Sequence, residues 1–567
     1  MEQNANDRRS FLHGAVILGL AGILCKVIGA LYRIPLTNLI GVEAMGVYAK
    51  AYLIYSLLWV VCTSGLPVAV SKLVSSLRAQ GDLNGAHAVF LASRRILGAL
   101  GVVFCVLMTV FSGSIAASLG IPSGRFAIVC IAPCMLLTVV SAYRGYFQGM
   151  QNMTPTAVSQ LIGSAGKLFI GLALAALWLP NGPVYAAGGA LLGVTLSELS
   201  SIVYIHFRYL RYQKKAPAHK PVQNAQRGLY RQLFSAAFPV TVGGAVLPLV
   251  NMLDAYLVTW CLHAAGYEES HINSMYGVLN GMVSSLVNVP AVVTVALAAA
   301  LVPFISAAYA QKQDAVASRS VCTALKLALC VGLPCFAGML LLGKPVLNLF
   351  YHQSSAETTA LFRLIPTLER APYFVFDKLS LGGSMMQICG FSVLFLSVSQ
   401  TATGILQGTG RFLVPMRSIA IGAAVKIILS IFLLQNARLN ILGAPISSAV
   451  CYGVTAVLNL LSLRRVCSLK RAKFIFAAPL AAAAIMSAAL WGARMLLNEA
   501  FMKRSVILTV ICLAAVLYSL LLLLFKAFSP QELALFPGGK RICAFLQRLS
   551  LYRNKTNEKE REEIWKN

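Results

Sequence analysis

The sequence predicts an all-α, polytopic membrane protein of about 14 transmembrane helices, set out as two six-helix lobes in parallel repeat plus two C-terminal helices. Three observations carry this expectation. The 567 residues are 58% hydrophobic and 11% charged, with a mean hydropathy of +0.75, whereas a soluble domain is nearer about 25% charged. Apolar runs long enough to cross about 30 Å of hydrocarbon recur from end to end. The net charge of +29 is carried largely by short stretches between those runs. That placement follows membrane topology and excludes the nucleic-acid surface such an excess would suggest in a soluble chain.

The first run follows ten polar residues, is too long for a signal-peptide core and lacks a small-residue cleavage site, so it reads as a retained helix over 11–34. Further spans follow at 46–70, 90–112, 124–146, 157–179, 184–206, 234–261, 275–309, 322–343, 382–406, 413–434, 441–463, 474–497 and 504–528. Pro290 interrupts the unusually long eighth, where a kink is expected. Placing both termini in the cytoplasm puts Arg8, Arg9, Lys72, Arg78, Arg94, Arg95, the cluster 208–231, Arg464, Arg465, Lys470–Lys473 and the basic tail on the inner side. The tail ends NKTNEKEREEIWKN, a solvated, partly disordered composition.

The chain also repeats itself in register. AFPV near 237 opens a second half, and Ala79-Gln80 precedes Arg95 by the interval that separates Ala310-Gln311 from Lys326. Gln148-Gly149 precedes Gly163 and Lys167 as Gln407-Gly408 precedes Gly422 and Lys426. Six spans per copy keep both copies in one orientation, which lets two bundles rock about a central site. The resulting organisation is an N-terminal lobe (1–206), a basic cytoplasmic linker (207–233), a second lobe (234–465), two extra helices (466–528) and a charged cytoplasmic tail (529–567).

No enzyme signature is present, and no metal site or cofactor is indicated. Gly166-Lys167 lacks a glycine at position 161 and is followed by Leu168, so it is not a phosphate loop. The seven histidines show no ligand spacing; His206 and His219 fall in the linker, His263 and His271 in an external loop. The 14 cysteines are scattered through apolar segments as small buried hydrophobes, with Cys130 and Cys134 one turn apart.

The intramembrane charges are more informative, because one sign dominates. Lys26 and Arg33 in the first span are two helical turns apart on one face. Lys50 begins the second span, while Lys167 and Lys426 occupy equivalent repeat positions in the fifth and eleventh. The acids within spans are Asp254 and Glu198. Placing a cation in lipid costs roughly 2.5–3.5 kcal/mol at a helix centre, so five cations without matching acids point to a cavity that receives an anion. A diphosphate suits paired Lys and Arg donors. For Arg33 and Lys50, near span ends, snorkelling to the headgroups explains the charge equally well. For Lys26, Lys167 and Lys426 the cavity is the better reading. Asp254 is either a salt-bridge partner or a coupling-ion site, and Glu198 a structural or interfacial acid. Tyr48, Tyr52 and Tyr55 share one helical face, through packing or by lining a saccharide cavity.

The stretch KVIGALYRIPLTNLIGVEAMGVYAKAYLIYS, followed by SGLPVAVSKLVS, resembles the start of the stage V sporulation protein B family. LPLVNMLDAYLV, MYG, LVPFIS and ILQGTGR resemble later segments of that family, and the likeness runs from about residue 10 to 525. These are polysaccharide-biosynthesis transporters of the multidrug/oligosaccharidyl-lipid/polysaccharide exporter superfamily, related to the lipid II flippases of peptidoglycan synthesis. The resemblance implies two six-helix lobes around a cavity, two extra helices beside a groove for a polyprenyl tail, and a diphosphate-holding role for Lys26 and Arg33. Two features depart from the flippases: Val47, Tyr48 and Lys50 stand where they carry an acid, and Ser284 or Ser285 where they carry an arginine. The stretch 369–386 lengthens the loop before the tenth span, as an external amphipathic segment.

The expected function is a multi-pass bacterial cell-membrane flippase that moves lipid II or a related polyprenyl diphosphate-linked saccharide to the outer leaflet by alternating access. Membrane lipids and cell-wall synthesis enzymes are the expected partners, with no nucleic acid. A drug or cation antiporter of the same superfamily would carry more membrane acids, and a non-transporting cell-wall scaffold would not need its cavity cations. An acyl- or glycosyltransferase would need an acid/base constellation that the sequence lacks.

Overall fold

The structure is a computed structural model that describes residues 2–214, 226–295, 309, 314–351, 378–411, 413–436, 438–464 and 472–528, with side chains of 2–16, 226–227, 314–317, 472–475 and 499–500 set aside. Among the described residues there is no strand. Thirteen helices are long and apolar enough to cross a membrane. The first of them, Ile17–Ala79, has 63 residues, about 95 Å at the α-helical rise and far more than one crossing. Gly41 breaks it with φ 79° and ψ 169°, a conformation essentially restricted to glycine. The two stretches on either side overlap the expected first and second spans, and the molecule is a multi-pass membrane protein in which every expected span overlaps a helix among the described residues.

Departures from plain α-helix fall where the sequence gives them cause. In the fourth span (Pro122–Gly149) the segment Ala132–Val139 winds as a 3₁₀-helix, with Pro133 at its start removing one backbone donor. The tighter winding brings Thr138 Oγ1 within 3.2 Å of the Leu97 carbonyl on the third span. In the eighth span the irregularity is a π-helical turn at Val278–Val283. The helix then continues past Pro290 to Val295, and residues 296–308 of that span lie outside the described residues.

Three expected boundaries shift. Helix covers Pro183–Gln213 and Gln226–Ala264, so both flanks of the expected 207–233 linker are continuations of the sixth and seventh spans. Only 215–225 separate them, and these lie outside the described residues, as does the tail from 529. The tenth span begins at Lys378, and Leu379, Leu381, Met385 and Met386 are buried. The latter part of 369–386 is therefore a packed helix, not a loop, because its apolar side chains repeat with helical spacing. Residues 369–377 lie outside the described residues.

By contact the chain divides into two compact units. One takes in the chain up to Val289 with Ile427–Ala444, the other Pro290–Gln353, Leu379–Lys426 and the chain from Pro445 onward. The core of the first unit is built on Tyr32, Leu36, Tyr48, Phe90, Ile128, Tyr146 and Leu191. Small residues set how close its helices lie. A Cβ on Gly46 would collide with the Asn273 carbonyl oxygen, and one on Gly277 with that of Val42. The second span and the head of the eighth are thus nearly in backbone contact, a packing only small residues permit. In the second unit, Leu333, Leu342, Met486, Leu490 and Tyr518 pack the ninth, thirteenth and fourteenth spans together, and Lys326 donates to the Ala527 carbonyl at 2.9 Å.

Candidate functional site: an aromatic-lined cation pair

The first span delivers Tyr32 and Arg33, the second Tyr48, Tyr52, Tyr55 and Trp59, and the fifth (Thr154–Trp178) Lys167. The fifth is held against the sixth by a run of close approaches. Gly166 faces Ser197 at 3.1 Å, measured from a Cβ built on the glycine, and Gly163 faces Glu198 Oε1 at 3.2 Å. Four residues after Gly163, one helical turn, comes Lys167, whose helix is thereby fixed in rotation and depth.

The tyrosines form a continuous ladder. Ring centroids are 6.4 Å apart for Tyr32–Tyr48, 5.9 Å for Tyr48–Tyr52, 5.3 Å for Tyr52–Tyr55 and 5.5 Å for Tyr55–Trp59. Tyr32, Tyr48 and Tyr55 are buried, while Tyr52 keeps partial exposure. Lys167 Nζ lies 4.4 Å from the Tyr52 centroid and 5.3 Å from that of Tyr32, within range of a cation–π attraction. Arg33 is close enough to Lys167 for their charges to repel. Its Nη1 donates to the Asn280 carbonyl over a long 3.4 Å, which leaves much of the guanidinium fork uncommitted. Among the described residues neither Arg33 nor Lys167 has a carboxylate within ion-pairing distance. Both are half-buried.

The remaining expected residues fall in different settings. Lys50 is fully buried, so it does not snorkel. Its ammonium donates to the Leu119 carbonyl at 2.9 Å and to Asn273 Oδ1 at 2.8 Å, with the Tyr276 ring centroid at 5.5 Å. In this conformation it is committed to the protein. Lys26, two turns before Arg33, is exposed among Leu24 and Val27. Asp254 is half-buried on the seventh span, and Tyr276 feels the charges of both Asp254 and Arg33. Lys426 is buried in the second unit.

Two features of the site escape sequence reasoning. Tyr276, Asn273 and the Asn280 carbonyl complete the surroundings of Arg33 and Lys50 from more than 220 residues away, and only the MYG match hinted at one of them. Arg144, inside the fourth span, is a membrane cation of the opposite kind. It pairs with Glu198 at 3.6 Å and donates to Ser159 Oγ at 3.1 Å and Ser201 Oγ at 2.9 Å. Glu198 is thus a structural acid, and Arg144 is the partner that explains it. His206, expected in the linker, lies within the helix of the sixth span with Nδ1 2.9 Å from the Tyr143 hydroxyl. The thiol of Cys134 lies 3.5 Å from the Tyr55 hydroxyl, as a buried packing group.

Comparison with known proteins agrees with this architecture. The family model described as "Polysaccharide biosynthesis protein" matches residues 11–308, and a MatE model matches 280–432. Stage V sporulation protein B of Bacillus subtilis (strain 168) is 29% identical over 388 residues, 67% of this chain and 75% of that protein. Lipid II flippase MurJ of the same organism is 23% identical over 475 residues, 80% and 82% of the two chains. A solved structure of lipid II flippase MurJ in an inward closed conformation superposes with a TM-score of 0.66 at 14% identity, covering 90% of this chain and 99% of that one. The family match spans more than half the chain, from the first helix through the eighth, and includes the tyrosine ladder, Arg33 and Lys167. The chain belongs to the polysaccharide biosynthesis protein family and has the fold of the multidrug/oligosaccharidyl-lipid/polysaccharide exporter superfamily.

Proposed function

We propose that the chain is a lipid-linked saccharide flippase of the bacterial cell membrane. It moves lipid II or a closely related polyprenyl diphosphate-saccharide from the inner to the outer leaflet by alternating access, for peptidoglycan, including spore cortex, or polysaccharide synthesis. One observation carries the reading: Lys167 lies against the Tyr32 and Tyr52 rings within the membrane-spanning region, with Arg33, the neighbour of Tyr32, in electrostatic range, and neither cation has a carboxylate among the described residues to neutralise it. Two half-buried cations that repel each other are stabilised by an anion entering between them. A diphosphate supplies two negative centres, one for the planar Arg33 fork and one for the Lys167 point charge. Tyrosine hydroxyls near the pair add donors for phosphate or sugar oxygens.

Lys26, exposed on the same helix, would meet the headgroup before it reaches Arg33. Lys426 enters by its register in the repeat, as the second copy's counterpart of Lys167. Lys50 is not a resting ligand group in this conformation. Both termini lie in the cytoplasm in this reading, as the distribution of basic residues requires. The antiporter alternative draws on the MatE match at 280–432 and on the half-buried Asp254. The deciding experiment reconstitutes the purified protein in vesicles carrying fluorescent lipid II. Accelerated translocation that is lost in an Arg33→Ala/Lys167→Ala variant supports the flippase. Resistance to cationic dyes on expression, without lipid movement in vesicles, supports the antiporter.

A further inference from the structure

Lys50 calls for an explanation of its own. A lysine ammonium with no exposure and no carboxylate within ion-pairing distance among the described residues is expensive unless neutral dipoles surround it. Three other segments provide them. Lys50 comes from the second span and the Leu119 carbonyl from the turn after the third. Asn273, from the head of the eighth span, accepts from Lys50 through Oδ1 and donates through Nδ2 to the Gly120 carbonyl at 3.1 Å. Thr259, near the end of the seventh span, shares its hydroxyl hydrogen between the Ala255 carbonyl of its own helix at 2.9 Å and the same Leu119 carbonyl at 3.3 Å. Gly120, at φ 61°, takes the left-handed turn that aims both carbonyls inward. Glu269, one turn before Asn273, acts on the ammonium only at longer range.

The contacts at this node cross between the two copies of the repeat read from the sequence. Lys50, Leu119 and Gly120 belong to the first copy, Thr259 and Asn273 to the second. The Gly46–Asn273 and Gly277–Val42 backbone contacts lie beside the node and bridge the same two copies. Any rocking of the copies that parts these ends must pull Asn273 away from Lys50 and from the Gly120 carbonyl together, leaving Lys50 with the Leu119 carbonyl of its own copy.

We infer that Lys50 is a closing latch: it locks together the ends of the second, third, seventh and eighth spans in this conformation, and transport requires its release. The latch rests on the alternating-access reading, but not on what the cation pair binds. A charge held by neutral dipoles is suited to this task. Its bonds are strong while water is excluded, and once the ends part the ammonium is readily hydrated, so the open state is not penalised. A carboxylate partner would hold the closed state too tightly.

The test is hydrogen exchange, followed by mass spectrometry, on the full-length protein in lipid nanodiscs. Lys50→Met keeps the side-chain length and removes the donor, and is expected to speed amide exchange in 111–121 and 265–275 by roughly tenfold. Exchange in 154–178 and 183–213 should stay at the wild-type rate. Asn273→Asp gives Lys50 a carboxylate at the cost of the Nδ2 bond to the Gly120 carbonyl, and is expected to slow exchange in 265–275, the segment that carries the new ion pair. Both variants should flip fluorescent lipid II more slowly, from opposite conformational biases. Unchanged exchange in both variants, or an acceleration spread evenly over the whole lobe by Lys50→Met, would overturn the latch. Should Lys50→Met not fold, Asn273→Asp decides alone, and absence of slowing counts against the proposal. Inorganic pyrophosphate binding by the wild type is measured in parallel. Its absence, with the exchange changes intact, would sink the diphosphate site and leave the latch standing.

Discussion

Two arginines in the same unit make the most instructive comparison. Arg144 has an acid, Glu198, at 3.6 Å and two serine hydroxyls within 3.1 Å, and pair exposure is only 14% and 19%. Arg33 has one long bond to a carbonyl, no acid partner among the described residues, and a second cation, Lys167, in electrostatic range. The first is a closed account of charge, which makes its contribution structural. The second is left open, and in a low-dielectric setting an open positive charge is a place for an anion. Counting intramembrane cations therefore does not separate a structural charge from a candidate site; the partners that each one has, acid or neutral, must be set out first.

That contrast is testable from both sides. Arg33→Ala with Lys167→Ala should have the largest effect, lowering lipid II translocation in vesicles by about 100-fold or more. Each residue stands to lose charge-assisted bonds of about 1.5–3 kcal/mol. Thermal unfolding of the same variant in detergent should be close to wild type. Glu198→Ala should behave in reverse. It strands Arg144 and is expected to destabilise the fold by about 2–3 kcal/mol, below the full cost for a sealed pair because some water reaches this one. The midpoint of thermal unfolding should fall accordingly, and Arg144→Met/Glu198→Met together should recover part of the loss. Gly46→Ala forces the second span off Asn273 and should cost about 1–3 kcal/mol, read in the same unfolding assay. The smallest effect is expected for Tyr52→Leu, which removes the nearer of the two rings facing Lys167. A loss of about 0.5–2 kcal/mol would weaken pyrophosphate binding by roughly 2- to 30-fold. Tyr52→Phe keeps the ring and loses only the hydroxyl, so it should weaken binding less than Tyr52→Leu.

Much of the fold is legible in the sequence because crossing a membrane is a one-dimensional constraint. Apolar length and flanking charge suffice for the spans, and each expected span overlaps an observed helix. The break at Gly41 is not legible in the same way. Residues 35–45 read as a connection between two spans, yet most continue as helix, and one glycine at φ 79° turns the chain. Lys167 could be singled out because Gly163 and Lys167 recur together in the repeat, and the structure presents them as a packing contact and the side chain it positions. The identity of a charge's partner is another matter. Lys50 and Arg33 look alike in sequence, both near span ends. What separates them is Asn273 and the Leu119 carbonyl in one case, and Lys167 with its tyrosines in the other. Those pairings depend on which helix faces meet, and 3.6-residue periodicity carries no information about the neighbour. Arg144 shows the same limit, since its acid lies 54 positions further on, two spans away.

The central claim, that Arg33 and Lys167 receive the phosphate of a lipid-linked saccharide, is tested most directly by one measurement. Lipid II translocation is followed in vesicles reconstituted with wild-type protein or with an Arg33→Gln/Lys167→Met variant of equal thermal stability. The account predicts rapid movement by the wild type and movement near the protein-free rate by the variant. Wild-type translocation by that stable variant would contradict it.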